Sequence, residues 1–236
     1  RGVHDFRSME MAGFAGAGVV ARYGWRVDLE QYDLDVRVEV RQDRGLIGLR
    51  LSPQALHHRS RIVHMRASLN PTLAAAMVQA SAPVPGETVL DPMCGAGTLL
   101  TERHQHDADV RLLAGDRHRE KLALARINFA HFGVPAHLVQ ADATALPWRD
   151  DSVDKVLCNL PWGRVVANPK VNRRLYPGLV AEMARVLRPG GVAVLLTSER
   201  NLIGRVLAAT GAFIREAAYH VHVGGLQPTL YVVRRA

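Results

Sequence analysis

The sequence predicts a doubly wound α/β fold on a mostly parallel sheet, closed by a C-terminal antiparallel hairpin and preceded by a small α+β segment. Three observations predict it. Beyond Pro85-Gly86, short apolar runs alternate with helical stretches, the rhythm of parallel strands covered by helices on both faces. Successive runs lead into polar residues, Asp91, Asp116, Asp142 and Asn159, at the strand ends where open α/β sheets bind ligands. A glycine-bearing loop, Cys94-Gly-Ala-Gly-Thr98, follows the first run and opens a helix.

From the N-terminus, Gly13 to Tyr23 is small and apolar and reads as a short helix. Val27 to Leu51 alternates with period two about a turn at Gln42-Asp-Arg-Gly45, which predicts a β-hairpin. These pieces are too few to close a core alone. A basic stretch follows, His57-His-Arg-Ser-Arg61 with His64 and Arg66. Asn70-Pro71 then opens a helix through Val78, because proline in the first turn forfeits only an N–H that has no helical partner. Strands are expected at Thr88–Leu90, Leu112–Gly115, His137–Gln140, Val153–Cys158 and Gly191–Leu196. A helix spans Arg119 to Phe132, and another is stopped by Arg188-Pro-Gly-Gly191. The tail, Ala217–Val223 and Thr229–Val233 about Gly224-Gly225, reads as the edge hairpin.

With 236 residues, 48% of them hydrophobic, the chain can bury a sizeable core. It has neither an apolar run near the roughly 20 residues that cross a bilayer nor the order of a signal peptide, so a soluble, cytoplasmic protein is expected, with no membrane partner and as a monomer. The two cysteines form no spaced framework, which argues against a disulfide scaffold or a zinc finger. His104, His106, Asp107 and Asp109 lack fixed ligand spacing, and no metal is expected. A net charge of +8 suits a polyanionic partner such as RNA. Starting without Met and in mid-pattern, the chain is expected to be a piece whose upstream part is missing.

The Gly loop does not fit a dinucleotide. Leu100 replaces the third glycine of G-x-G-x-x-G, and Asp91 would set a carboxylate against a pyrophosphate. A cofactor with cationic amino and sulfonium groups and no phosphate fits better. Asp91-Pro-Met-Cys-Gly-Ala-Gly-Thr98 resembles motif I of class I methyltransferases, a Rossmann-like family that uses S-adenosyl-L-methionine. That resemblance implies that Asp91, Pro92, Cys94, Gly95, Gly97 and Thr98 border the methionine portion. It further implies that Asp116 binds the ribose hydroxyls and Asp142, with Ala143 beside it, the adenine.

Asn159-Leu-Pro-Trp162 resembles the N/D-P-P-Y/F/W motif of amino-directed methyltransferases. An exocyclic base amine is a poor nucleophile because its lone pair is delocalised into the ring. The Asn159 side-chain oxygen and the Leu160 carbonyl can hold its two hydrogens and favour a pyramidal nitrogen aimed at the methyl donor. Pro161 stiffens the turn, and Trp162 stacks on an extruded base, with Trp148 a weaker candidate. Leu160 departs from the motif's proline, at little cost if only its carbonyl acts. Asn159 also adjoins the cofactor. Cys158 and Cys94 read as buried hydrophobes, which disfavours thiolate-dependent carbon methylation.

The segment from Val27-Asp-Leu-Glu through Leu56-His-His-Arg-Ser-Arg61 to Asn70-Pro-Thr-Leu-Ala-Ala-Ala-Met77 resembles the junction of a THUMP domain with its methyltransferase. Most of the chain is thus similar to THUMP-containing guanosine-N2 methyltransferases that act on tRNA. Residues 1–66 are then the C-terminal remnant of a THUMP-like RNA-binding region with its linker, and 67–236 the methyltransferase domain. Arg59, Arg61 and Arg66 would contact the RNA backbone. The residues leave open ribosomal-RNA guanosine-N2, adenine-N6 or small-molecule methylation, and a non-catalytic RNA-binding module on a methyltransferase scaffold.

Overall fold

A computed structural model describes residues 6–41, 44–52, 56, 68–163 and 169–236. The chain divides into two compact units, Arg1–Ala55 and Leu56–Ala236. The basic stretch with Arg59, Arg61 and Arg66, and residues 42 and 43 of the turn, lie outside the described residues.

The first unit holds α1 (Ser8–Tyr23), β1 (Asp35–Arg41) and β2 (Arg44–Arg50). The helix starts five residues before the expected Gly13, because the Glu10 carboxylate accepts the Arg7 backbone N–H at 2.7 Å and closes the first turn there. It ends at Gly24, whose φ of 68° supplies the left-handed cap. The hairpin is shorter than Val27–Leu51. Asp28 Oδ1 accepts the N–H groups of Glu30 and Gln31, and that side-chain turn delays the first strand to Asp35. From there β1 and β2 pair antiparallel, Asp35 opposite Arg50.

The second unit contains α2 (Pro71–Ala80), β3 (Glu87–Asp91), α3 (Thr98–His106), β4 (Val110–Asp116), α4 (Arg119–Phe132), β5 (Ala136–Gln140), β6 (Val153–Asn159), α5 (Pro169–Val186), β7 (Leu187–Thr197), α6 (Arg200–Thr210), β8 (Phe213–His220) and β9 (Thr229–Arg235). Asn70 caps α2 by accepting the Thr72 N–H at 2.8 Å. The seven-stranded sheet runs β5-β4-β3-β6-β7-β9-β8, parallel through β7 and antiparallel over the last two strands. The terminal hairpin therefore folds back so that β9, not β8, pairs with β7.

Period-two alternation splits the buried strand residues between two faces. Leu90, Leu113, Val156, Cys158, Ala193, Leu195 and Tyr231 pack with α5 and α6. Val89, Leu112, Ala114, Leu157, Val194 and Val232 pack with α2, α3 and α4. One expectation is corrected at α5. Arg188-Pro-Gly-Gly191 does not separate helix from strand but lies inside β7 as an irregularity. Leu187 already pairs with Val153, and regular pairing resumes at Val192 opposite Lys155.

No helix among the described residues is long and apolar enough to cross a membrane. Strand order reverses between β3 and β6, because the chain runs outward from β3 to β5 and then returns to β3's other side. That reversal opens a crevice at the carboxyl ends of the strands.

Candidate active site

Asp91 and Asn159 end the two strands that flank the reversal, and Asp116 ends β4 next door. Residues far apart in sequence thus share one rim of the sheet. After β3 the chain turns sharply through Gly95 (φ 53°) and Gly97 (φ 84°), with the Gly97 N–H donating to the Cys94 carbonyl at 2.8 Å. A Cβ at Gly97 would sit 2.4 Å from the Phe129 ring, so α4 packs where only glycine leaves room. Thr98 then opens α3, and Asn128 of α4 steadies the loop by donating to the Ala96 carbonyl at 2.9 Å.

Asp116 accepts the Gly95 N–H on Oδ2 at 3.1 Å and the His118 N–H on Oδ1 at 3.0 Å. It therefore builds the glycine loop as well as bordering it, a role that reading the strands one by one does not show. Asp91 is buried and accepts the Met93 N–H at 3.0 Å. Burial, reinforced by the negative charge of Asp116, pushes its carboxyl up to about 8. Asp142 lies two residues past β5 and is exposed. Its Oδ1 takes both the hydroxyl and the N–H of Thr144, which hold its pKa below the usual carboxylate value. Ala143 is buried beside it.

At β6 the Asn159 Oδ1 accepts the Trp162 indole N–H at 3.1 Å. The Leu160 N–H donates to the Leu196 carbonyl at 3.0 Å and its side chain is buried. Its own carbonyl receives no donor among the described residues. The next carbonyl differs: Pro161 O accepts from Asn172 Nδ2 at 2.8 Å and from the Tyr176 hydroxyl at 2.7 Å. The acceptors left with spare lone pairs are therefore Asn159 Oδ1 and Leu160 O. Both cysteines are buried, and burial raises the pKa of both thiols well above its ordinary value.

The UPF0020 family, described as the RMKL-like methyltransferase domain, matches residues 58–229. The chain belongs to this family. The chain is 31% identical to the bovine tRNA (guanine(6)-N(2))-methyltransferase THUMP3, over 98% of this chain and 49% of that protein. It is 32% identical to a Thermus thermophilus tRNA (guanine(6)-N2)-methyltransferase, over 99% of this chain and 70% of the relative. The crystal structure of TrmN from Thermus thermophilus superposes with a TM-score of 0.79 at 32% identity, over the whole of this chain and 70% of that one. Against the mammalian relatives the chain spans about half their length.

This RMKL-like domain carries a second layer of site residues that no motif announces. Tyr176 and Asn172 on α5 are fully buried beneath the Asn159–Trp162 turn. Because the Tyr176 proton goes to Pro161 O, the Thr197 hydroxyl donates to Tyr176 Oη at 2.8 Å, and Thr197 in turn accepts the Glu199 N–H at 3.0 Å. Burial raises the Tyr176 phenol, keeping it a donor. Ser198 Oγ donates to the Trp162 carbonyl at 3.1 Å. On the other rim, Arg185 donates to the carbonyls of Leu146 and Trp148 at 2.9 and 2.8 Å. It thereby fixes the segment after Asp142, where Trp148 approaches Gly115 and packs on the core. No spacing along the sequence singles these residues out.

The donor set fits a cofactor with cationic groups and a vicinal diol. Two buried carboxylates and a tight glycine turn suit those groups and oppose phosphates.

Proposed function

We propose that this chain transfers a methyl group from S-adenosyl-L-methionine to the exocyclic N2 amine of a guanosine in tRNA. The observation that carries the proposal is the division of labour in the 159–162 turn. Pro161 O is tied down by two buried donors, which leaves Asn159 Oδ1 and Leu160 O as the two acceptors an amine's hydrogens need. The names of the tRNA guanine-N2 methyltransferases THUMP3 and its Thermus thermophilus counterpart support the choice of amine and of RNA.

The bound cofactor supplies an electrophilic methyl on a sulfonium. Asp91 and the Gly95–Gly97 loop hold its methionine end, with Pro92, Cys94 and Thr98 around them. Asp116 uses its remaining lone pairs on the ribose diol, and Asp142 with Ala143 meets the adenine. Asn159 and Leu160 orient the target nitrogen. Trp162, half-buried and fixed by its N–H, offers its remaining ring surface to an extruded base. We further place the enzyme in the cytoplasm as a monomer, with residues 1–66 as the end of a THUMP-like RNA-binding region and its linker, and 67–236 as the catalytic domain.

The test is mass spectrometry of nucleosides from tRNA incubated with labelled cofactor and the chain in its complete natural polypeptide, beside Asn159→Ala. Labelled N2-methylguanosine that disappears in the variant is expected. Label in another nucleoside, or none, rejects the reading.

A further inference from the structure

Past β7 the chain turns at Ser198, and Glu199 caps the start of α6. Its backbone is firmly placed. The N–H donates to Thr197 Oγ1, and the carbonyl accepts from Leu202 and Ile203 at 3.1 and 3.0 Å. Through Thr197 and Tyr176 that placement is tied to Pro161 in the catalytic turn. The side chain leans on the same turn: a Cβ at Gly163, where φ is 71°, would lie 2.2 Å from Glu199 Oε1. A side chain at this left-handed position would be strained and would displace the carboxylate. The half-buried carboxylate receives no hydrogen bond among the described residues. It lines a cleft of about 490 Å³ together with Ser198 and Asn201, bounded further by Gly225 and Gln227 of the β8–β9 connection. The neighbouring Arg200 does not neutralise it, because its guanidinium is directed to the Gln227 carbonyl at 2.7 Å.

We propose that Glu199 is the residue that selects guanine, by accepting the N1–H of the target base while Asn159 and Leu160 hold the N2 amine. This rests on the guanosine-N2 reading above and deepens it. The two purines differ in what stands beside their amine. In guanine the ring nitrogen next to the C2 amine carries a hydrogen; in adenine the one next to the C6 amine is a bare acceptor. An ionised carboxylate only accepts. Set beside Gly163, the residue that follows the amine-binding turn, it would form a charge-assisted bond with guanine and meet adenine with lone pair against lone pair. Sites built around such a polar contact discriminate far more strongly than apolar pockets do, since the mismatched base leaves a partly buried charge unpaired.

The test compares wild type, Glu199→Gln and Glu199→Asp, each in the complete natural polypeptide. The substrates are tRNAs bearing guanosine or 2-aminopurine at the nucleotide the wild type methylates. 2-Aminopurine keeps the C2 amine but has a bare N1. Glu199→Gln should lose roughly tenfold to a hundredfold in kcat/KM on guanosine. It should gain on 2-aminopurine, to which its amide N–H can donate, while binding S-adenosyl-L-methionine like wild type. Glu199→Asp should turn over more slowly yet still prefer guanosine, which decides the matter if the glutamine variant folds poorly. An equal loss on both bases in Glu199→Gln, an unchanged ratio, or a lost preference in Glu199→Asp overturns the role of Glu199. Failure of the wild type itself to form N2-methylguanosine overturns the underlying reading instead, and is seen without any variant.

Discussion

The indole Nε1 of Trp162 donates to Asn159 Oδ1 at 3.1 Å, so the aromatic and the amide of the 159–162 turn form one unit. An amide oxygen has two lone pairs, and this bond takes one while aiming the other. Trp162→Phe keeps a ring but removes the N–H, leaving the Asn159 amide free to rotate. The expected result is a fall in kcat of about tenfold or more with a smaller change in KM, because orientation of the amine is lost more than binding of the base. A purely hydrophobic role for Trp162 predicts near-normal kcat in the phenylalanine variant, and steady-state kinetics separate the two.

Tyr176 gives a second handle on the same turn. Tyr176→Phe removes the donor to Pro161 O and the acceptor of the Thr197 hydroxyl, in a site with little access to water. The cost should be about 1–3 kcal/mol, the range for buried groups left without a partner. Urea denaturation measures it. Activity should fall further than the unfolded fraction accounts for, since Pro161 O, then held by Asn172 alone, has a lone pair free to compete with Leu160 O for the amine.

The buried carboxyl of Asp91 makes both stability and cofactor binding depend on pH. With its acidity shifted to about 8 in the folded chain, it holds a proton that the unfolded chain releases near pH 4. Its contribution to stability is therefore complete below about pH 4 and is lost as pH rises to about 8. Asp91→Asn should flatten that part of the stability profile in denaturation curves taken from pH 5 to 8. A cationic ligand at Asp91 favours the ionised form, so binding S-adenosyl-L-methionine at pH 7 should release a proton. Calorimetry in two buffers of different ionisation enthalpy detects it, and the asparagine variant should show none.

Much of this site was legible in the sequence, and the rest was hidden for physical reasons. The strand ends at Asp91, Asp116 and Asn159 and the glycine loop follow from local rules: period-two apolar runs, a polar terminus, a turn that excludes Cβ. The boundaries of α1 and β1 depended on side-chain caps at Glu10 and Asp28, which compete with periodicity and win. At Arg188-Pro-Gly-Gly191, pairing with β6 had already begun at Leu187, ahead of the proline and glycines that suggest a break. Tyr176, Thr197 and Glu199 were invisible because their roles come from a chain of contacts across three elements, and no spacing along one element encodes it. Asp116 was half visible: its place at a strand end is local, but its bond to Gly95 spans two strands.

A further such contact lies at the opposite end of the sheet. Arg103 of α3 is fully buried, and its guanidinium meets Glu87 Oε1 at 2.9 Å while also donating to the carbonyls of Asp107 and Val84. Every arm of the fork is used, so the pair clamps the start of β3 to the end of the helix that follows the glycine loop. Removing one partner strands a charge in the core. Arg103→Ala should cost about 3–5 kcal/mol, more than a truncated surface ion pair by several-fold. Replacing both partners, Arg103→Met with Glu87→Leu, should recover a good part of that loss, because no charge is then left to desolvate. The double-mutant cycle in urea is the measurement. A double variant no more stable than Arg103→Ala would show that the backbone carbonyls of Val84 and Asp107, not Glu87, are what Arg103 chiefly serves.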